Sequence, residues 1–247
     1  MSGVLWIVGL GPGGAATRTG RAAEAVAAAE VIVGYGPYVD QCADLLRPEQ
    51  EQRRGTMGGE RERAEEALAL AAEGRRVALV SSGDAGIFGM AGLALRAAAA
   101  LPDDRRPEVE VVPGVTAAVA TAARLGAPLG DFATVSLSDV LIPWERVEAR
   151  IAALAATDLA LAIYNPRSRT RTWQLDRARE LLLEHRDGGD PVALATDVGR
   201  DEERLEVATL AGFDAERVAM RTLVLVAAPG TERVGPWLVA SRHPRAD

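Results

Sequence analysis

Three clusters of residues have the types and spacing that chemistry requires. The first is Ser81-Ser-Gly-Asp-Ala-Gly-Ile-Phe-Gly-Met90. Gly83, Gly86 and Gly89 carry no Cβ, so the main chain can come close to a ligand. Asp84 adds one negative charge and Phe88 one ring. The alternative is a tight connection with no ligand, and Asp84 could also cap the helix that follows. The second cluster, Gly9-Leu-Gly-Pro-Gly-Gly14, formally fits the GxGxxG of dinucleotide sites. Such a site also wants an acid at the end of the next strand, and Val31-Ile-Val-Gly-Tyr-Gly36 has none. Pro12 has no N–H to offer a pyrophosphate. The turn therefore reads first as one wall of a different ligand cleft, with a glycine turn that merely closes strand onto helix as the alternative. The third cluster, Tyr164-Asn-Pro-Arg-Ser-Arg-Thr-Arg171, gathers Arg167, Arg169 and Arg171. Guanidinium forks bind carboxylates at two points. Basic residues at a helix N-terminus are locally unfavourable, which points to an anionic partner; a solvated outer surface is the alternative. Thr116 suits a helix cap or a ligand contact, and the pair Ser138-Asp139 suits a cap for the helix after it.

Composition narrows the chemistry. All 28 basic residues are arginine, so lysine Schiff bases and the lysine-bearing phosphate loop are excluded. One cysteine and two distant histidines argue against a disulfide framework or a metal site. A net charge of -7 and a pI near 5.1 speak against a general nucleic-acid binder. No apolar run reaches membrane-spanning length, and the chain opens directly on a strand, so a cytoplasmic protein is expected.

The elements that must position these residues follow from hydrophobic periodicity. Strands are expected at 3–8, 31–33, 76–81, 108–112, 132–137, 159–163, 191–195, 206–210 and 222–226, the last of them. Helices are expected at 19–29, 59–73, 91–101, 117–125, 143–154 and 170–185, with a short one near 36–40. Residues 53–58, Met57 among them, read as a loop. Alternating strands and helices call for parallel pairing with helices on the faces of the sheet. The pattern restarts near Asp131. Two α/β lobes are therefore expected, 1–115 and 116–247, closely packed because no serine- or glycine-rich linker joins them, with a ligand in the cleft between.

The order of motifs carries a resemblance. Gly9-Leu-Gly-Pro-Gly, Val33-Gly-Tyr, Ser81 to Ala91, Pro113-Gly-Val-Thr-Ala, Gly126-Ala-Pro-Leu, Asp131-Phe-Ala-Thr-Val-Ser-Leu-Ser-Asp139, Pro143-Trp144 and Tyr164-Asn-Pro occur in sequence. Together they resemble the tetrapyrrole (corrin/porphyrin) methyltransferase family over nearly the whole chain. The resemblance implies a class III methyltransferase architecture, S-adenosyl-L-methionine as donor (S-adenosyl-L-homocysteine as product), a homodimer, and no membrane, nucleic-acid or metal partner. It implies methylation of a precorrin macrocycle at C17 with ring contraction; a cobalt-loaded macrocycle, an RNA or protein substrate, or a non-catalytic carrier are the alternatives.

By the same resemblance, donor contacts fall on Pro12, Gly83, Asp84, Ala85, Ile87, Phe88, Thr116, Ala117, Tyr164, Asn165 and Ala208. Transfer from a sulfonium needs positioning rather than a protein nucleophile, in keeping with so few histidines and cysteines. Arg167, Arg169, Tyr35 and Met57 are assigned to the macrocycle. Ring contraction moves protons, and Tyr35, Glu60, Ser136, Ser138 and Asp139 are candidates, with Ser138-Asp139 preferred. Tyr35 stands where related enzymes carry an acid. Ser241-Arg-His-Pro-Arg245 replaces their usual ending.

Overall fold

In the computed structural model, residues 3–126 and 129–240 are described. Part of the Gly126–Leu129 motif, and all of 241–245, lie outside them. The chain divides into two compact units, Met1–Ala117 and Ala118–Asp247.

The first unit holds strands β1 (Val4–Gly9), β2 (Val31–Tyr35), β3 (Glu51–Gly55), β4 (Arg76–Ser81) and β5 (Glu108–Val112) in the order β3-β2-β4-β1-β5. All pairings are parallel. The central strands are buried on both faces, which is why they read as continuous runs of Val, Ile and Leu. Helices α1 (Gly20–Ala28) and α2 (Gly36–Gln41) cover one face, where Ala22, Ala25, Val26 and Val39 meet Val8, Ile32 and Val80. Helices α3 (Glu60–Ala72) and α4 (Ala91–Ala99) cover the other, where small alanines such as Ala64, Ala67 and Ala94 meet Ile7, Val33 and Leu79. Thr19 caps α1 by accepting from Ala22 N at 3.1 Å. Cys42 is fully buried and its thiol is pushed up to about 11 by desolvation, so it packs as a small apolar group.

β3 corrects the loop expected at 53–58. Glu-Gln-Arg-Arg-Gly is polar because it is an edge strand, exposed along most of its length and held by β2. Charge on an edge discourages further pairing. Periodicity cannot find a strand with so little to bury.

The second unit opens with α5 (Ala117–Leu125), which begins on the last residue of the first. It continues through β6 (Phe132–Ser136), α6 (Trp144–Ala155), β7 (Ala160–Tyr164), α7 (Gln174–Leu183), β8 (Pro191–Thr196), β9 (Arg204–Thr209) and β10 (Thr222–Val226). The sheet order is β6-β7-β10-β8-β9. Only β6 and β7 run parallel; β10 and β9 pair antiparallel because no crossover helix precedes them. Val147, Ile151, Leu175, Ala178 and Leu182 pack onto Val135, Leu161, Ile163, Val192 and Val224. β10 is not the last strand: β11 (Thr231–Val234) and β12 (Trp237–Ala240) form a hairpin. α7 starts at Gln174 rather than at 170, because Ser168 and Arg171 close a turn ahead of it.

Asp190, at the foot of β8, is buried, and its Oδ2 has no hydrogen-bond partner among the described residues. Burial raises its pKa, the Asp187 charge adds to this, and Arg186 opposes it. The folded state thus holds the proton more tightly than the unfolded chain. Its stabilising effect is present at acid pH and is lost as pH rises through the raised value. Asp190→Asn is therefore expected to raise Tm at pH 7–8 by roughly 2–4 °C, the response of a chain this size to about 1 kcal/mol. The gain should vanish below about pH 4, where the carboxyl is protonated in both states. Thermal unfolding across that range checks it.

Candidate active site

In the first unit, strand order builds the site before any side chain does. From β1 the chain crosses by α1 to β2 on one face. From β4 it crosses by α4 to β5 on the other. The neighbouring strands β1 and β4 thus send their connections in opposite directions, and a crevice opens beyond their carboxyl ends. Both connections there are the glycine-rich turns. Gly11 and Gly83 pair reciprocally, Gly11 N to Gly83 O at 3.0 Å and Gly83 N to Gly11 O at 2.7 Å. A methyl group on Gly9 would lie 2.8 Å from Gly114 N and 2.8 Å from Gly83 O. The turns after β4, β1 and β5 touch through bare backbone, and only glycine permits that approach.

Asp84 ties this arrangement together. Its Oδ1 accepts from Gly86 N at 2.8 Å and Ile87 N at 3.2 Å, and its Oδ2 accepts from Gly114 N at 2.9 Å. It does not cap α4, which begins seven residues later behind Met90. Gln41 of α2 braces the first turn, donating to Gly11 O at 2.7 Å and Gly13 O at 2.8 Å. Arg18 in turn holds Gln41 O at 2.8 Å and grips Asp44 with both nitrogens. Neither Gln41 nor Arg18 was found from sequence, because each acts across more than 20 residues and belongs to no local pattern. Phe88 takes a left-handed φ of 54° and is half exposed. A bulky residue held there is strained, and such strain gathers at ligand clamps.

These turns fit a nucleoside bearing a positive centre and no phosphate. Gly83 has φ 70°, and a Cβ built on it meets no atom within 4 Å, so open space lies against exposed main chain. No basic residue occurs in 9–17, 81–90 or 113–117, and the one charge present is that of Asp84. Pro12 is buried beyond β1 and Thr116 is buried ahead of α5. Tyr35, stacked edge-on against Tyr38 at 5.2 Å, ends β2, and the exposed Met57 follows β3. Glu60 opens α3, where it accepts from Gly58 N and Arg63.

In the second unit the candidates meet at the carboxyl ends of β6 and β7. Ser136 Oγ accepts from Ser138 N at 3.1 Å and from Asn165 Nδ2 at 2.9 Å. Asn165 has φ 50°. Tyr164 Oη accepts from Ala118 N at 3.1 Å, so the tyrosine serves the first turn of α5. The Ser138-Asp139 pair does not cap α6, whose cap position is Pro143. Asp139 instead faces Arg171 at 3.6 Å through Oδ1 and accepts from Gln174 at 3.3 Å through Oδ2. Arg171 is buried, with its pKa lowered by desolvation and Asp139 working against that. The three arginines therefore part company: Arg171 turns inward, Arg167 donates to Ala215 O at 3.0 Å, and Arg169 is exposed.

Ala208 is not brought to this end. It pairs with Val192 on the edge strand β9. From Tyr164 it is three strands across and three rows toward the opposite end of the sheet, about 14 Å and 10 Å by strand geometry. There it lines an open cavity of about 780 Å³ with Asp190, Thr209 and Pro229. Among the described residues no cluster of His, Cys, Asp and Glu could hold a metal, and no helix is long and apolar enough to cross a membrane.

The profile of the tetrapyrrole (corrin/porphyrin) methylases matches residues 4–214. The chain is 43% identical over 236 residues to a precorrin-3B C(17)-methyltransferase of Sinorhizobium sp, covering 95% of this chain and 92% of that one. It is 43% identical over 224 residues to a probable cobalt-factor III C(17)-methyltransferase of Salmonella typhimurium, covering 90% and 92%. Among solved structures, the methyltransferase CobJ superposes with a TM-score of 0.91 at 42% identity, covering 97% of this chain and all of that one. Two α/β units, glycine turns that meet at a switch point, and this likeness along the chain lead to one conclusion: the protein belongs to the tetrapyrrole (corrin/porphyrin) methylase family, with the class III methyltransferase fold.

Proposed function

We propose that the protein methylates C17 of precorrin-3B from S-adenosyl-L-methionine, with ring contraction, in cobalamin biosynthesis. The observation that carries this reading is the phosphate-free glycine site at the β1–β4 switch point, in a chain 43% identical to a precorrin-3B C(17)-methyltransferase. The donor, when bound, supplies a methyl group already activated on a sulfonium.

The protein's part is positioning. Pro12, Gly83, Ala85, Ile87, Phe88, Thr116 and Ala117 present backbone and a ring to the nucleoside, and Asp84 fixes the turns that carry them. Tyr164 and Asn165 complete the donor set. Arg169, which has neither an ion pair nor a hydrogen bond among the described residues, suits a carboxylate of the macrocycle. Ser138 and Asp139 are assigned the proton transfer of the contraction, a role supported by the family likeness alone. The enzyme works as a cytoplasmic homodimer, a reading supported by the family alone.

Equal identity to a cobalt-factor III enzyme favours a second reading, with cobalt already in the macrocycle. The test is single turnover with methyl-labelled donor against precorrin-3B and against cobalt-factor III. Label should appear in one macrocycle at C17. Binding of S-adenosyl-L-homocysteine without product from either would leave a carrier, and no calorimetric heat with that nucleoside would defeat the donor site itself.

A further inference from the structure

Arg171 is the most buried cation at the carboxyl ends of the second sheet, with a side chain only 4% exposed. It lies in neither α7 nor β7. The turn that carries it is closed on itself: Ser168 N donates to Arg171 O at 3.0 Å, and Arg171 N donates to Ser168 Oγ at 3.0 Å. This drives the guanidinium inward. Nε donates to Asn165 O at 2.8 Å, Nη1 faces Asp139 Oδ1 at 3.6 Å, and Nη2 reaches Met220 Sδ at 3.8 Å.

Those partners sit on different segments. Asn165 is the residue after β7, a non-glycine at φ 50° whose amide holds Ser136 at the end of β6. Left-handed backbone in a side-chain-bearing residue persists only where its surroundings enforce it. The bond to its carbonyl is such an enforcement. Asp139 belongs to the loop after β6, and Gln174, the first residue of α7, holds its other oxygen. A planar guanidinium holds its donors in fixed directions, so it can serve a carbonyl and a carboxylate in one set geometry. Trp173, beside Gln174, stacks edge-on with Trp144 at 5.0 Å, so the starts of α6 and α7 also meet through their rings.

We propose that Arg171 is a positioning residue for methyl transfer: one buried guanidinium locks the turn at Asn165 and the loop at Asp139 into a single register. The inference rests on the function proposed above. It assigns to Arg171 an effect on rate exerted through Asn165 and Asp139, without contact with substrate.

The experiment compares Arg171→Lys, Arg171→Gln and Asp139→Asn in the full chain, each checked for fold by circular dichroism, including the near-ultraviolet band of the tryptophan pair. Arg171→Gln should lower kcat per folded molecule about 100-fold, the cost of misplacement by about 1 Å, and raise donor KM as well, because the turn it frees carries Asn165 of the proposed donor set. Arg171→Lys should recover only part of it. Adding Asp139→Asn to Arg171→Gln should cost little more than either alone, because the two act as a unit.

If Arg171 only holds the fold, Tm falls while kcat per folded molecule stays within twofold of wild type, and the proposal is overturned. Fully additive losses in the double variant would overturn it too. Should Arg171→Gln fail to fold, Arg171→Lys decides: wild-type kcat rejects the inference, and a reduced kcat per folded molecule supports it. Wild-type protein that transfers no methyl group counts instead against the proposed function, so the two failures are distinct.

Discussion

Replacement of Gly114 by alanine is expected to abolish donor binding and to destabilise the first unit severely. The added methyl would stand 2.2 Å from Gly83 O and 2.7 Å from both C and O of Gly9. All three are backbone atoms of neighbouring turns, so no side-chain rotation relieves the contact. The turns after β4 and β5 must separate, which breaks the bond from Gly114 N to Asp84 and strains the Gly11–Gly83 pair. Overpacking of this kind, with loss of a buried bond, costs about 3–5 kcal/mol. Affinity for S-adenosyl-L-homocysteine should fall at least 100-fold, or roughly 2.7 kcal/mol. Gly83→Ala is the informative contrast. Its methyl meets nothing within 4 Å, but φ 70° penalises any side chain, so about 1–2 kcal/mol of stability is lost. Its methyl also enters the space assigned to the donor. Calorimetry and thermal unfolding on both variants separate the cases: Gly114→Ala loses fold and binding, Gly83→Ala mainly binding. Wild-type Tm in Gly114→Ala would show that the turns do not need their present contact.

The second large effect is expected at Asp84. Removing its carboxylate strands three main-chain N–H groups, two in its own turn and one beyond β5. Bonds to a charged acceptor are among the stronger ones, yet Asp84 is only partly buried and water can reach some of the freed donors. A loss of about 2–3 kcal/mol is expected for Asp84→Ala, together with weaker donor binding. Asp84→Asn keeps one acceptor oxygen and can serve one turn but not both, so its losses should be intermediate. A carboxylate whose task is to face a cationic donor would behave differently: Asp84→Asn would then lose donor affinity at unchanged Tm. Measuring both quantities on both variants decides which description holds.

The first unit's core and its glycine turns were legible because they are local. Apolar runs gave β1, β4 and β5, alanine-rich periodicity gave α1 and α4, and glycines marked where backbone must approach backbone. What escaped were elements with little to bury, such as β3 and the β11–β12 hairpin. The start of α7 was misplaced for a related reason: Ser168 and Arg171 close their turn by bonds that composition does not advertise.

By itself the sequence determined the family, the two-part α/β plan, the absence of lysine chemistry and the glycine-rich turns at the strand ends. These follow from residue type and spacing along the chain. Tertiary structure alone decided what each charged group does. Sequence left Asp84 open between donor and cap and grouped Arg167 with Arg171 in one basic cluster, and folding gives them backbone partners up to 48 residues away. It also separated Ala208 from Tyr164 across the sheet. The physical reason is that a side chain's partner is set by strand order and loop closure, and neither is written in any local stretch of residues.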